Sequence, residues 1–146
     1  MRPFVIDASV AVKWVIEEDG TRAALALRRH PLLAPDLLTA ECANILRKKV
    51  RRGELTNDEA VLAAGLLARA DIDLMPMRSL LEAATRIAVL LDHPAYDCIY
   101  LAVAETLGQA FVTADERLLQ KVHQCPSGLF SIQVVSLAEA IPSHGP

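Results

Sequence analysis

The chain has 146 residues, of which 53% are apolar and 4% aromatic, and its formal net charge is −3 at pH 7. A chain of this length buries roughly 68–70% of its unfolded surface, so we expect a single domain over residues 1–146 without disulfides or a structural metal. The composition excludes a disordered or collagen-like chain. The negative net charge excludes a protein that binds duplex nucleic acid through an overall positive surface potential.

Short apolar segments of strand character alternate along the chain with longer segments of helical periodicity. The predicted strands are residues 4–6, 33–34, 72–76, 110–113 and 132–135. The predicted helices are residues 8–18, 21–29, 37–52, 56–70, 79–91, 95–107 and 115–122, and the tail 142–146 is expected to fray. This alternation predicts an α/β fold with a central parallel sheet of four or five strands between two helical layers.

The sequence shows no feature of an exported or membrane-bound protein. The longest apolar run, residues 60–68, is about half as long as a membrane span, and Asp7 interrupts the N-terminal apolar segment too early for a signal peptide. The cysteines Cys42, Cys98 and Cys125 form no Cys-x-x-Cys pair and are typical of buried thiols in a reduced compartment. We therefore expect a cytoplasmic protein without membrane contact.

Two acidic residues come directly after predicted strands. Asp7 follows the first strand and Asp115 follows the fourth. Ligands of parallel α/β sheets bind at the carboxyl ends of the strands, which makes both residues candidates for a functional site. Either residue alone is more simply explained as a helix N-cap, because Asp is among the best capping residues.

Two further acids lie on inward faces of predicted helices. Glu41 belongs to the apolar stripe of helix 37–52, where an unpaired carboxylate is destabilising or becomes protonated, and the basic residues 47–49 lie too far along the helix to pair with it. Asp97 shares a face with Tyr100 in the first turn of its helix. The helix dipole explains the position of Asp97 in that turn but not its inward face.

The four carboxylates together indicate a metal site. Four such groups at one sheet edge would repel one another, and a divalent cation removes that conflict. Hard carboxylate oxygens suit Mg²⁺ or Mn²⁺, and such an ion orients water and neutralises charge in phosphodiester hydrolysis. Ser9 and Thr113, each two residues from an acid, could hold a metal-bound water or a scissile phosphate, although local capping explains each hydroxyl at least as well.

Four segments resemble, in the same order, the motifs of PIN domains. They are residues 5–18 (Val-Ile-Asp-Ala-Ser-Val-Ala-Val-Lys-Trp and onward), 35–41, 96–105 and 112–118. The resemblance covers roughly residues 5–137 and is greatest to the VapC-type toxins of bacterial and archaeal toxin–antitoxin pairs. It implies a three-layer α/β/α fold and a metal-dependent endoribonuclease that cuts RNA.

The resemblance also implies residue roles and partners. Mg²⁺ or Mn²⁺, as one or two ions, would be held by Asp7, Asp97 and Asp115, while Glu41 would complete the cluster or orient the attacking water. Ser9 and Thr113 would be supporting hydroxyls. Arg117 stands where many relatives carry a second acid, which leaves the second metal position in question. A homodimer and a silencing antitoxin, whose tail lies over the site, are the partners that the resemblance implies.

Basic and apolar surfaces suggest further contacts. Lys13, Arg117 and Arg47, the last within the basic segment 47–52, are candidates for RNA phosphates, although a solvated helix end is the simpler explanation of that segment. The hairpin of helices 37–52 and 56–70 has more apolar residues than one buried face needs. That surplus suggests a dimer or antitoxin surface as readily as an intramolecular core.

Two other classes of function compete with the nuclease. A non-catalytic PIN-like interaction module would be favoured by the loss of one of the four acids, and none is missing. Asp7 is also placed like the phosphate-accepting residue of haloacid-dehalogenase-like phosphatases or receiver domains. The phosphatases require a second Asp where Ser9 stands, and the receivers require paired acids ahead of the phosphorylated Asp, so neither pattern is complete.

Overall fold

The computed structural model describes residues 1–125 and 131–142. Its five strands are β1 (Phe4–Ile6), β2 (Leu32–Pro35), β3 (Asp73–Met75), β4 (Ala110–Val112) and β5 (Val134–Val135). They form one sheet in the order β3-β2-β1-β4-β5, in which every neighbouring pair is parallel. The predicted parallel sheet is therefore confirmed, and β1 lies at its centre with β2 on one side and β4 on the other.

Helices cover this sheet and complete the predicted three-layer α/β/α arrangement. They are α1 (Ala8–Ala11), α2 (Thr21–Leu27), α3 (Leu38–Arg51), α4 (Asn57–Ala68), α5 (Leu81–Leu91), α6 (Ala95–Leu107), α7 (Glu116–His123) and α8 (Leu137–Ala140). Single 3₁₀ turns continue α1 (Val12–Trp14) and precede α5 (Met77–Leu80). Helix α6 packs across β2, β1 and β4, and α3 packs against α4.

The densest part of the core lies where α6 crosses the central strands. Both β1 and β4 are buried along their whole length, since their side chains face helices on both sides. The ring of Tyr100 on α6 stacks on Phe111 of β4, with ring centroids 5.9 Å apart and planes inclined by 11°. This packing fixes α6 against β1 and β4, the strands that precede Asp7 and Asp115 in the chain.

Local sequence signals set most helix ends. Thr56 and Glu59 form a reciprocal capping box at the start of α4, with N-to-O distances of 2.9 and 3.1 Å. Gly108 ends α6 in the left-handed conformation, with φ of +64°. The same kind of box, Ser136 with Glu139, begins α8, a helix that the sequence prediction omitted.

The prediction of one helix over residues 8–18 is wrong beyond Trp14. The indole N–H of Trp14 donates to the Ala24 carbonyl (2.8 Å), which draws the chain onto α2. The Thr21 hydroxyl accepts from the Glu18 N–H (2.9 Å) and donates to the Ile16 carbonyl (3.2 Å), so the segment closes as a turn. Apart from Pro142, the predicted frayed tail lies outside the described residues.

The three cysteines are free, as the sequence analysis expects. Burial raises the pKa of Cys42 to about 12 and that of Cys98 to about 11, so both thiols stay protonated at neutral pH. In the part of the chain that the structure describes, no single helix is long and apolar enough to cross a membrane. Only Met77–Leu91 and Ala95–Leu107 taken together pass that test, and they meet at a bend of 118°.

Candidate functional site

Asp7 is the central residue of the candidate site. It follows β1 and caps α1, where its Oδ1 accepts hydrogen bonds from the Ser9 hydroxyl (2.5 Å) and the Val10 N–H (3.3 Å). Its Oδ2 accepts a hydrogen bond from the Thr113 hydroxyl at the end of β4 (2.5 Å). Both carboxylate oxygens are thus held in place by hydroxyls from two neighbouring strand ends.

The two hydroxyls connect Asp7 to the segment that begins α7. The Ser9 hydroxyl accepts from the Ala114 N–H, and the Thr113 hydroxyl accepts from the Asp115 N–H, both at 3.0 Å. Asp115 caps α7, because its Oδ1 accepts from the N–H groups of Arg117 and Leu118. The N-cap interpretation of Asp7 and Asp115 is therefore correct for both residues, and it places both carboxylates at the same edge of the sheet.

The electrostatic environment of Asp7 disfavours its charge. Burial, together with the negative charge of Asp97, raises the pKa of Asp7 to about 6, although the Ser9 and Thr113 hydroxyls favour the ionised form. A buried carboxylate in the electrostatic field of a second one is the arrangement that a bound cation relieves.

Glu41 lies in the first turn of α3, and its pKa is raised by burial and by the charge of Asp97. Its Oε1 is buried without a hydrogen-bond partner, and so is the hydroxyl of Tyr100. The Tyr100 hydroxyl lies near enough to lower the pKa of Glu41, yet the two groups do not reach hydrogen-bonding geometry. Lys48 is the smallest of the influences on the pKa of Glu41, and Glu41 forms no ion pair with any residue that the structure describes.

Asp97 lies in the first turn of α6 and is half-buried. Its Oδ2 is 2.6 Å from Nε2 of His93, which lies just ahead of α6, so the imidazole fixes the orientation of this carboxylate. Because Asp97 raises the pKa of both Asp7 and Glu41, the three acids share one electrostatic environment. The fourth acid, Asp115, is linked to Asp7 through its backbone N–H, which donates to the Thr113 hydroxyl that in turn donates to Asp7.

The donor set fits a hard divalent cation. Its oxygens belong to carboxylates, and the orphaned Oε1 of Glu41 is an acceptor that a cation or its water would satisfy. The side chains do not form a closed cage, however: within residues 1–125 and 131–142, no three His, Cys, Asp or Glu groups lie close enough together to surround an ion. The four predicted acids are thus brought to one region without being in ligating geometry.

The three basic residues predicted to contact RNA lie in different places. Lys13, on the turn after α1, forms an ion pair with Glu18 at 3.2 Å. Arg117 is an exposed residue at the start of α7, beside Asp115. Arg47 is bound to Asn44 on the surface of α3 and lines a separate groove with Val61 of α4.

Sequence reasoning missed two residues of the site. His93 lies just ahead of α6, outside the helix, so no helical spacing in the sequence indicates its contact with Asp97. Tyr100 was predicted to share a helix face with Asp97, but the proximity of its hydroxyl to Glu41 was missed. The two residues belong to different helices, and nothing in the sequence indicates that these side chains come close.

Comparisons with known proteins point to one family. A family model described as the PIN domain matches residues 4–123. A VapC ribonuclease of Mycobacterium bovis is 34% identical over 123 residues, or 84% of this chain and 94% of that protein.

Two solved structures have the same fold. A protein from Pyrobaculum aerophilum superimposes with a TM-score of 0.69 at 23% identity, covering 95% of this chain and 93% of the other. VapBC-5 from Mycobacterium tuberculosis, a member of the VapBC family of toxin-antitoxin systems, gives a TM-score of 0.59 at 20% identity, covering 93% of this chain and 99% of the other.

The matched range 4–123 includes all four acids and all four motif segments. The identity to the Mycobacterium bovis protein extends over nearly the whole of that relative. The chain therefore belongs to the PIN domain family and, within it, to the VapC group.

Proposed function

We propose that this protein is a metal-dependent endoribonuclease that hydrolyses RNA phosphodiester bonds, as the toxin of a toxin–antitoxin pair. The observation that carries the proposal is the coupling of Asp7, Glu41 and Asp97 at the carboxyl ends of β1 and β4, with Asp115 joined through Thr113. The substrate class is supported by the VapC ribonuclease that is 34% identical to the chain. The proposed location is the cytoplasm, where its free thiols would stay reduced.

Asp7, Asp97 and Asp115 would hold Mg²⁺ or Mn²⁺, as one or two ions, with Glu41 as a possible further ligand. A bound divalent ion supplies charge neutralisation on the phosphate oxygens and lowers the pKa of a water molecule. The proposal is supported by the raised pKa of Asp7 and by the orphaned acceptor on Glu41.

The protein's own residues would position and deprotonate the nucleophile. Ser9 and Thr113 orient the two oxygens of Asp7, and His93 orients Asp97. Glu41 Oε1 has no competing donor and a raised pKa, so it is suited to accept a proton from the attacking water. The sequence-based assignment of RNA contacts to Lys13, Arg117 and Arg47 stays a prediction.

The proposed partners are a cognate antitoxin and a second copy of this chain. The solved VapBC-5 structure, named as part of a toxin-antitoxin system, supports the first of these. Helix α4 supports an apolar contact with either partner, since Val61 and Leu62 on its surface are 72% and 67% exposed. Next to α4, an apolar cavity of about 370 Å³ opens between α3 and the edge strand β3.

The function is tested by RNA cleavage with purified protein. We expect Mg²⁺ or Mn²⁺ to support cleavage, EDTA to stop it, and Mn²⁺ to restore it. Asp7→Asn and Asp97→Asn should each abolish cleavage while far-UV circular dichroism shows an intact fold. Asp92→Asn is the matched control, because Asp92 is an exposed acid in the left-handed conformation that Asn also adopts.

Cleavage that persists in excess chelator would contradict the metal dependence. Full activity in Asp7→Asn or Asp97→Asn would remove that residue from the mechanism. A well-folded protein that cleaves no RNA with either metal would favour the non-catalytic interaction module.

A further inference from the structure

A small cationic pocket adjoins the candidate site. It has a volume of about 230 Å³ and lies between the start of α1 and the outer half of α3. Ser9 and Ala114, which belong to the hydrogen-bond network of Asp7, form one wall. The charged residues that line the pocket are Lys13, Glu18, Lys48, Lys49 and Arg52.

Two of the four cations are held rigidly and are largely removed from water. Glu18 accepts from Lys13 through Oε1 (3.2 Å) and from Lys49 through Oε2 (2.8 Å), and these lysine side chains are only 13% and 12% exposed. Lys49 also contacts the more exposed Glu54 at 3.4 Å. The negative charges of Glu18 and Glu54 offset only two of the four positive charges, so the pocket has a net positive charge.

The other two cations, Lys48 and Arg52, are exposed and form no ion pair with any residue that the structure describes. Lys48 also acts electrostatically on Glu41, so the pocket and the acidic residues are within range of one another. This local excess contrasts with the formal net charge of −3 of the whole chain. The pocket is therefore a site where an anion gains charge-assisted contacts beside the acids.

We propose that this pocket binds a backbone phosphate of the RNA substrate next to the phosphate that is cleaved, with Lys48 and Arg52 as the contacting residues. The inference rests on the proposed ribonuclease function and names a subsite for it. An RNA strand that places one phosphate at Asp7 passes Ser9 and Ala114, the wall that the two sites share. The volume of about 230 Å³ is below the roughly 300–1,000 Å³ of pockets for drug-sized ligands, which suits a phosphate group with water.

The position of the pocket favours a phosphate of the substrate over the carboxylates of an acidic protein segment. Ser9 and Ala114 line the pocket and also belong to the hydrogen-bond network of Asp7, where the proposed cleavage takes place. Both free cations suit a phosphate, since Lys48 binds it as a compact point charge and Arg52 as a planar fork.

The test compares two adjacent arginines of the same helical segment. Arg52 lines the pocket, whereas Arg51 lines the separate groove against α4. Arg52→Ala and Arg51→Ala therefore remove the same charge at neighbouring positions, and Lys48→Ala provides a second pocket variant. Binding of a fluorescent single-stranded RNA is measured by anisotropy with Mg²⁺ present over a series of KCl concentrations, in an Asp97→Asn background to prevent cleavage.

We expect Arg52→Ala and Lys48→Ala each to reduce the slope of log K against log salt by about 0.7, which corresponds to an affinity loss of about fivefold at 0.1 M salt. Arg51→Ala should leave the slope and the affinity unchanged. With Asp97 restored, Arg52→Ala should raise KM and leave kcat unchanged, since the contact is made equally in the ground and transition states.

Equal losses in all three variants would show a non-local charge effect and overturn the proposal, and so would unchanged RNA binding in the pocket variants. If those variants keep RNA affinity but lose binding of a polyglutamate peptide, the pocket serves an acidic protein segment instead. Failure of the ribonuclease function is distinguishable, because the Asp97-containing protein would then cleave no RNA with any metal.

Discussion

The buried carboxylate of Asp7 opposes folding at neutral pH, so its removal should stabilise the protein in the absence of divalent ions. Burial raises the pKa of Asp7 from 3.8 to about 6. The folded state holds the proton of Asp7 more tightly than the unfolded state does. The destabilisation is therefore absent below pH 3.8, the pKa of the unfolded state, and develops as the pH rises through the folded-state pKa of about 6. A shift of about two pK units corresponds to about 3 kcal/mol above pH 6.

Asp7→Asn keeps the shape of the side chain and one acceptor for the Ser9 or Thr113 hydroxyl while it removes the charge. In EDTA at neutral pH we expect the variant to gain about 3 kcal/mol of unfolding free energy, or about 6–12 °C in Tm. The gain should vanish at pH values below 3.8, where wild-type Asp7 is protonated in both states.

The assay is denaturant and thermal unfolding of both proteins in EDTA across this pH range, with Asp92→Asn as the control for loss of an exposed charge. Added Mg²⁺ should stabilise the wild type and reduce the difference, because an ion held by Asp7 binds only the folded state. An Asp7→Asn protein that is less stable than the wild type at neutral pH, or a difference independent of pH, would refute the reasoning.

Three further predictions address other residues. Tyr100→Phe should raise the unfolding free energy by about 1 kcal/mol, because it removes a buried hydroxyl without a hydrogen-bond partner, and denaturant unfolding measures the gain. Glu18→Gln should lower stability at neutral pH by about 1 kcal/mol. Burial opposes ionisation of Glu18, but Lys49 and Lys13 hold its pKa below 4.5. The greater stability of the wild type is therefore lost as the pH falls through that lowered pKa, and denaturant unfolding at several pH values measures this loss. Gly20→Ala should lose about 1–2 kcal/mol in thermal unfolding, since Gly20 has φ of +86° and an added Cβ would lie 3.2 Å from Leu137.

The sequence predicted those features of the site that follow from the position of an acid within its own strand or helix. Acids placed directly after buried strands predicted the edge of the sheet at which Asp7 and Asp115 meet, because parallel strands bring their carboxyl ends together. The apolar neighbours of Glu41 likewise predicted an inward carboxylate, and its unpartnered Oε1 agrees with that prediction.

Features that depend on contacts between distant segments could not be predicted in the same way. The helical pattern of residues 8–18 continues past Trp14, and only the hydrogen bond of the indole to Ala24 on α2 explains why the helix ends there. The pocket beside Ser9 joins residues of α3 to a turn some thirty positions earlier, as the 2.8 Å contact between Glu18 and Lys49 shows. Periodicity and spacing carry no information about such a pairing.

The four acids are supplied by β1, α3, α6 and the start of α7, so the site is scattered over most of the polypeptide. During synthesis, β1 cannot pair with β4 until residues 110–112 have left the ribosome, and Asp115 follows them. A nascent or C-terminally truncated chain therefore holds no complete acidic centre. A protein built in this way acquires its complete acidic centre only when synthesis of the chain is nearly finished.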